Sequence, residues 1–80
     1  MDKFILLSRE SRGDWKIFSV GRSTDLEYFT FFVNFPANKA IIDRGKYFKQ
    51  VDTDLKGMEI FFEENKIDHK QLFNEGVREA

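Results

Sequence analysis

The chain of 80 residues contains no cysteine, which excludes disulfide bonds and thiolate metal ligands as sources of stability. It has a single histidine, His69, and neither a glycine-rich phosphate loop nor a nucleophile elbow. The apolar run at residues 4–7 spans four positions, which is too short for a signal peptide or a membrane span. These absences predict a cytoplasmic, non-enzymatic protein that uses neither a metal ion nor a cofactor.

A strong excess of charge of one sign is also missing, since the formal net charge is −1 at pH 7. Residues 1–50 carry nine Lys or Arg against six Asp or Glu, whereas residues 51–80 carry four against eight. Neither half contains a tail-like charged run, and the pattern therefore indicates two solvated faces of opposite sign.

Aromatic residues, by contrast, are abundant, with ten Phe, two Tyr and one Trp. A domain this small buries only about 60–65% of its unfolded surface, so large side chains must supply much of the core. Each ring buries about 150–250 Å². We therefore expect residues 1–80 to form a single domain whose core is largely aromatic.

The segment of residues 27–35 alternates in the manner of a strand. Phe29 and Phe31 fall on one side of this strand, and Tyr28 and Phe32 fall on the other. We expect the first side to face the core. The second side is either covered by helices or left exposed, with its rings available to a partner.

The hydrophobic period becomes that of a helix from Asp54 onward. A second helix is predicted from Asp68, because Gln71 three residues later completes a capping box. Residues 37–50 fit either strands or a helix, and Gly45 within them favours strands.

The predicted architecture is an α+β fold. A small antiparallel β-meander of three to five strands occupies residues 1–51, and a helical hairpin packed on the sheet occupies residues 52–80. The core is predicted to contain Ile5, Leu7, Ile17, Phe29, Phe31, Val33, Phe35, Leu55, Met58, Phe62, Ile67, Leu72, Phe73 and Val77.

A resemblance to the EF-hand calcium loop occurs in the segment DTDLKGMEIFFE. Its first, third, sixth and twelfth positions are matched by Asp52, Asp54, Gly57 and Glu63. Lys56, however, places a cation at the fifth position, where an oxygen ligand is required. We therefore predict no calcium site and expect the acidic residues to cap the following helix.

Nucleic-acid binding is one functional hypothesis. Residues 60–79 resemble a helix-turn-helix, which implies a reading helix with Lys70, Gln71, Asn74 and Arg78. A basic and aromatic sheet face could instead hold a single strand through Arg44, Lys46 and Lys49. The acidic residues around the second helix weaken this hypothesis, because affinity for nucleic acid depends largely on neutralising phosphates.

Protein binding is the hypothesis that the sequence favours. Interfaces are enriched in aromatic residues, Met and Arg at their buried centres. The candidate binding residues are Trp15, Tyr28, Phe32, Tyr47 and Ile60. We expect the partner to be another protein or a second copy in a homodimer, without a membrane. The protein would then act as an adaptor, inhibitor or accessory factor, and phage and mobile elements encode many small proteins of this type.

Overall fold

The computed structural model describes residues 3–47 and 49–68. Five strands form one antiparallel sheet in the order β1-β2-β3-β4-β5, and one helix follows them. The elements are β1 (Ile5–Arg12), β2 (Trp15–Arg22), β3 (Glu27–Asn34), β4 (Lys39–Arg44), a 3-10 turn (Gly45–Tyr47), β5 (Lys49–Thr53) and α1 (Leu55–Glu64). The α+β class and the antiparallel meander are therefore confirmed.

The turns follow from local residue chemistry. Gly13 and Asp14 connect β1 to β2, and Gly13 has a φ of +59°, which glycine adopts without the penalty paid by other residues. Asn38 has a φ of +53° in the turn before β4, and Asn tolerates this conformation well. The strand interpretation of residues 37–50 is confirmed, since β4 and the start of β5 lie there.

Helix α1 begins where the sequence predicts a cap. The Asp54 side chain accepts a hydrogen bond of 2.8 Å from the backbone N–H of Gly57. The described residues contain this one helix, so the predicted helical hairpin is not shown, and its second member falls on residues 69–80, outside them. Among the described residues, no helix has the length and apolarity needed to cross a membrane.

The core lies between the sheet and α1, on the side that we call the helix side. Phe31 is fully buried near its centre, with ring centroids 4.8 Å from Phe62, 5.5 Å from Phe18 and 6.0 Å from Phe61. The buried apolar residues are Phe18, Val20, Phe29, Phe31, Val33, Ala40, Ile42, Met58, Phe62 and Ile67.

Part of the predicted core is wrong. Ile5 and Leu7 are 61% and 57% exposed, because Phe4 and Leu6 are the residues of that apolar run that pack on the core. In β2, Ile17 is only half-buried and its neighbours Phe18 and Val20 are the core residues. Phe35 and Leu55 pack at the border of the core. Six predicted core residues are confirmed as buried, namely Phe29, Phe31, Val33, Met58, Phe62 and Ile67. Leu72, Phe73 and Val77 lie outside the described residues.

Candidate protein-binding face

The side of the sheet opposite α1 is the candidate site, and we call it the open face. Residues paired directly across antiparallel strands point to the same side, so the register defines this face. One cross-strand row pairs Ile17 with Phe32 and Phe32 with Ile41. The one α-helix of the described residues, α1, packs on the helix side of the sheet. The open face therefore carries the rings of Tyr28 and Phe32, on the side of β3 opposite Phe29 and Phe31.

An apolar cluster occupies the middle of the open face. Trp15 lies beside the row of Ile17, Phe32 and Ile41, and all four side chains are half-buried. We call these four residues the central cluster. They lie on the three inner strands of the sheet.

A cleft of about 390 Å³ lies at one end of the open face, and we call it the Leu26 cleft. Its apolar wall consists of Ile5, Leu7, Leu26 and Tyr28, and these side chains are between 43% and 76% exposed. The cleft and the central cluster are separated by a polar pair in which the Ser19 and Thr30 hydroxyls lie 2.9 Å apart. The open face thus has two apolar regions.

Two glycines shape this end of the face by allowing close approach. A Cβ on Gly45 would stand only 1.8 Å from Cε2 of Tyr28, so the tyrosine ring lies directly against the Gly45 backbone. A Cβ on Gly21 would stand 2.8 Å from Cδ1 of Leu7. At Gly45 a side chain would displace the Tyr28 ring, whereas at Gly21 only the exposed tip of the flexible Leu7 side chain would have to shift.

Leu26 is held in an uncommon backbone conformation. Its φ is +56°, which is rare for a bulky residue, and its side chain is 76% exposed. The neighbouring Asp25 fixes this turn, because Arg22 donates two hydrogen bonds of 3.1 and 2.8 Å to its carboxylate. Lys46 Nζ also donates to the Asp25 carbonyl oxygen at 3.0 Å. The turn therefore presents Leu26 to solvent in a defined position.

The same contacts affect the ionisation of Asp25. The hydrogen bonds from Arg22 lower the pKa of the Asp25 carboxyl below its ordinary value of 3.8. The side chain remains exposed, and the turn keeps this ion pair at neutral pH.

The predicted binding residues divide between the two sides of the sheet. Trp15, Tyr28 and Phe32 lie together on the open face. Tyr47 contacts the Arg44 guanidinium at 5.0 Å, and that guanidinium also lies 5.6 Å from the ring of the core residue Phe29, so Tyr47 belongs to the helix side. Ile60 lies on the exposed surface of α1, and it is 47% exposed.

The candidate nucleic-acid residues do not meet the open-face rings. Arg44 and Lys49 are register partners whose side chains point to the helix side, and Lys46 is engaged with the turn at Asp25. The charged residues on the open face are of both signs, namely Glu10, Arg12, Lys39, Asp43 and Asp52. Lys70, Gln71, Asn74 and Arg78 lie outside the described residues.

No metal site forms in the described ranges, where no group of three or more His, Asp or Glu side chains is placed to hold an ion. The segment that resembles a calcium loop is the end of β5 followed by α1, with Asp52 in the strand and Glu63 in the helix. Asp54 is occupied as the helix cap.

Several residues of the open face were not predicted from the sequence. Ile17 and Ile41 belong to the central cluster, and Ile5 and Leu7 to the Leu26 cleft. The spacing of Trp15 and Ile17 would have placed both on one side of β2. No sequence signal identifies Leu26, because a left-handed φ at leucine runs against its intrinsic preference.

Comparisons of this chain with protein-family models, with curated proteins and with solved structures find no match.

Proposed function

We propose that the protein is a small non-enzymatic binding module that recognises another protein, or a second copy of itself, through the open face. The observation that carries this proposal is the pair of apolar regions on one side of the sheet. A large exposed apolar area is uncommon on a monomeric soluble protein and marks an interaction surface. An adaptor, inhibitor or accessory factor needs such a surface and no catalytic group.

The distribution of residue types on the open face supports this function. Rings and aliphatic side chains lie on the inner strands. Of the charged side chains, Glu10, Arg12 and Asp52 lie on the edge strands β1 and β5, whereas Lys39 and Asp43 lie on β4. Protein interfaces have the same arrangement, an apolar centre depleted of charge and a polar rim. Phe32 lies in the middle strand and is the expected anchor.

The charges argue against a nucleic-acid ligand on this face. Glu10, Asp43 and Asp52 accompany the two cations Arg12 and Lys39. Binding to a phosphate backbone needs a cationic surface whose counterions are released. A face with more acids than bases does not provide this surface.

Affinity capture tests the proposal, with the immobilised protein exposed to an extract of its native cells. Proteins enriched by the wild type should be lost with Phe32→Ala and kept with Ile60→Ala, which removes an exposed apolar side chain from the helix side. For a purified partner, Phe32→Ala should weaken binding about 30-fold, the equivalent of about 2 kcal/mol. Circular dichroism confirms that both variants are folded.

The opposite result would be retention of DNA or RNA at physiological salt, abolished by Lys46→Ala and unaffected by Phe32→Ala. Salt provides an independent reading. Higher salt should slow association with a protein partner more than it changes the affinity, whereas it should sharply reduce affinity for nucleic acid.

A further inference from the structure

We infer that the open face binds a second copy of this chain, in a two-fold face-to-face dimer centred beside Phe32. This inference rests on the proposed function and names the partner. It comes from two adjacent rows of side chains on the open face whose charges are opposite.

The acidic row runs across all five strands. The register joins Glu10 to Ile17, Ile17 to Phe32, Phe32 to Ile41 and Ile41 to Asp52. Its two ends are carboxylates, and its three inner residues are apolar.

The basic row is the next one along the strands. It joins Arg12 to Trp15, Trp15 to Asn34 and Asn34 to Lys39. Its two ends are cations, and all the charged ends of both rows are exposed. The two rows are therefore opposite in sign. Their charged ends share β1, whereas at the other side Asp52 lies on β5 and Lys39 on the neighbouring β4.

A two-fold axis between these rows and parallel to them makes the face complementary to itself. Rotation about this axis lays the acidic row of each copy over the basic row of the other, so that Glu10 faces Arg12 of the second copy. The strands of the two sheets then run nearly antiparallel, as aligned sheet packing requires. Asp52 comes within one strand of Lys39 of the second copy.

The alternative axis, parallel to the strands, is disfavoured by charge. It would lay each row over its own copy with the ends exchanged, so that Glu10 faces Asp52 and Arg12 approaches Lys39. Like charges facing each other in an interface oppose association. The charge pattern thus selects one of the two symmetric ways of stacking the open faces.

Arg12 can form an ion pair within its own chain and with the second copy at the same time. Its Nε already lies 3.1 Å from Glu10 Oε2 within the chain. A guanidinium has five N–H donors, so its remaining donors can reach a carboxylate of the second copy. The result is one group of four alternating charges where the two β1 strands meet, beside the apolar centre.

The area of overlap between the two open faces sets the expected affinity of the dimer. Five strands spaced about 4.8 Å apart span about 24 Å, and three rows with the adjoining turns span about 20 Å, which gives about 500 Å² of projected area per copy. About 1,000 Å² in total is at the lower end of specific interfaces. We therefore expect dissociation in the micromolar range. The Leu26 cleft lies beyond this overlap and stays uncovered.

Sedimentation equilibrium of purified variants tests the arrangement. Glu10→Arg and Arg12→Glu should each weaken the dimer at least about tenfold, because each creates like-charge contacts between copies. An equimolar mixture of the two variants should restore the wild-type affinity within about threefold, since a mixed dimer again pairs residue 10 with an opposite charge at residue 12. The charge contact within each chain stays broken in the mixture, so only contacts between copies explain a rescue.

A matched control removes the effect of overall charge. Glu59→Arg makes the same reversal of charge on the exposed surface of α1, outside the interface, and by itself should leave the affinity of the dimer unchanged. Wild-type protein that stays monomeric up to the millimolar range would overturn the inference, as would a dimer that neither reversal weakens or that mixing fails to restore. If that monomer still captures another protein through Phe32, the proposed function stands without this inference.

Discussion

On the helix side of the sheet, Phe29, Phe31 and Phe62 are at most 1% exposed, and each ring contacts at least one other ring within 5.0 Å. On the open face, Phe32 is half-buried, and Tyr28 is 43% exposed. Along β3, Phe29 and Phe31 of the helix side alternate with Tyr28 and Phe32 of the open face. The difference shows that one strand can supply fold stability with its odd positions and a binding surface with its even positions.

The adjacent residues Phe31 and Phe32 give the sharpest comparison of the two sides. Phe31→Ala should lower the free energy of unfolding by about 3–5 kcal/mol, because it leaves a cavity among fully buried rings. Phe32→Ala should cost about 1–2 kcal/mol, because its ring is already partly in water. Urea unfolding below the concentration of self-association measures both. Equal costs would mean that the open face is also part of the core.

Gly45→Ala should disturb the open face at the end that contains the Leu26 cleft, because Tyr28 lines that cleft. The new methyl group occupies the position of the Tyr28 ring, and displacing that ring should cost about 1–2 kcal/mol. The same change in a Tyr28→Ala background should cost nothing, since the obstacle is gone. Chemical denaturation of the four proteins completes this double-mutant cycle. A cost that persists without the ring would place the constraint in the backbone of Gly45.

The strands show when the sequence predicts which side of a strand faces the core and when it does not. In β3 the two sides differ in polarity, and the alternation correctly separated Phe29 and Phe31 from Phe32. In β1 the run at residues 4–7 is apolar at every position, so nothing in the sequence decides which residues face α1. The register, which aligns Glu10 and Asp52 in one row, is set by four successive strand pairings, and a shift of one residue in any of them would break the row.

The helix that covers the helix side depends on its cap. Asp54→Ala should lower the free energy of unfolding by about 1 kcal/mol, because the backbone N–H of Gly57 loses its acceptor. Glu59→Ala, at an exposed site within the same helix, is the control and should cost almost nothing. Thermal unfolding compares the two. A similar loss for both variants would show that Asp54 does not stabilise the start of α1.

Substitution in the strained turn at Leu26 should raise the free energy of unfolding, whereas loss of the helix cap lowers it. Leu26→Gly should raise stability by about 0.5–1 kcal/mol, because glycine relieves the left-handed strain that leucine carries there. Leu26→Ala keeps that strain and should leave stability nearly unchanged, since the side chain is largely exposed. The thermal midpoints of the two variants decide between them. A gain for alanine equal to that for glycine would contradict the strain argument.

The candidate site was only partly visible in the sequence for related reasons. Trp15, Tyr28 and Phe32 were identified because rings in a short chain exceed what one side of a sheet needs. Tyr47 and Ile60 were grouped with them as candidate interface residues, and the sequence does not say on which side of the sheet such a residue lies. Close approaches such as that of Tyr28 to Gly45 arise between segments far apart in sequence and leave no local pattern.

The strand order also has a consequence for how the chain is made. Every strand pairs with its neighbour in the chain, and the first connection has only two residues, so loop closure costs little and each hairpin can form as soon as its second strand leaves the ribosome. The helix that covers the core comes after the last strand. Until residues 55–64 emerge, both faces of the nascent sheet expose aromatic rings. Synthesis is therefore the stage at which this chain is most prone to aggregation.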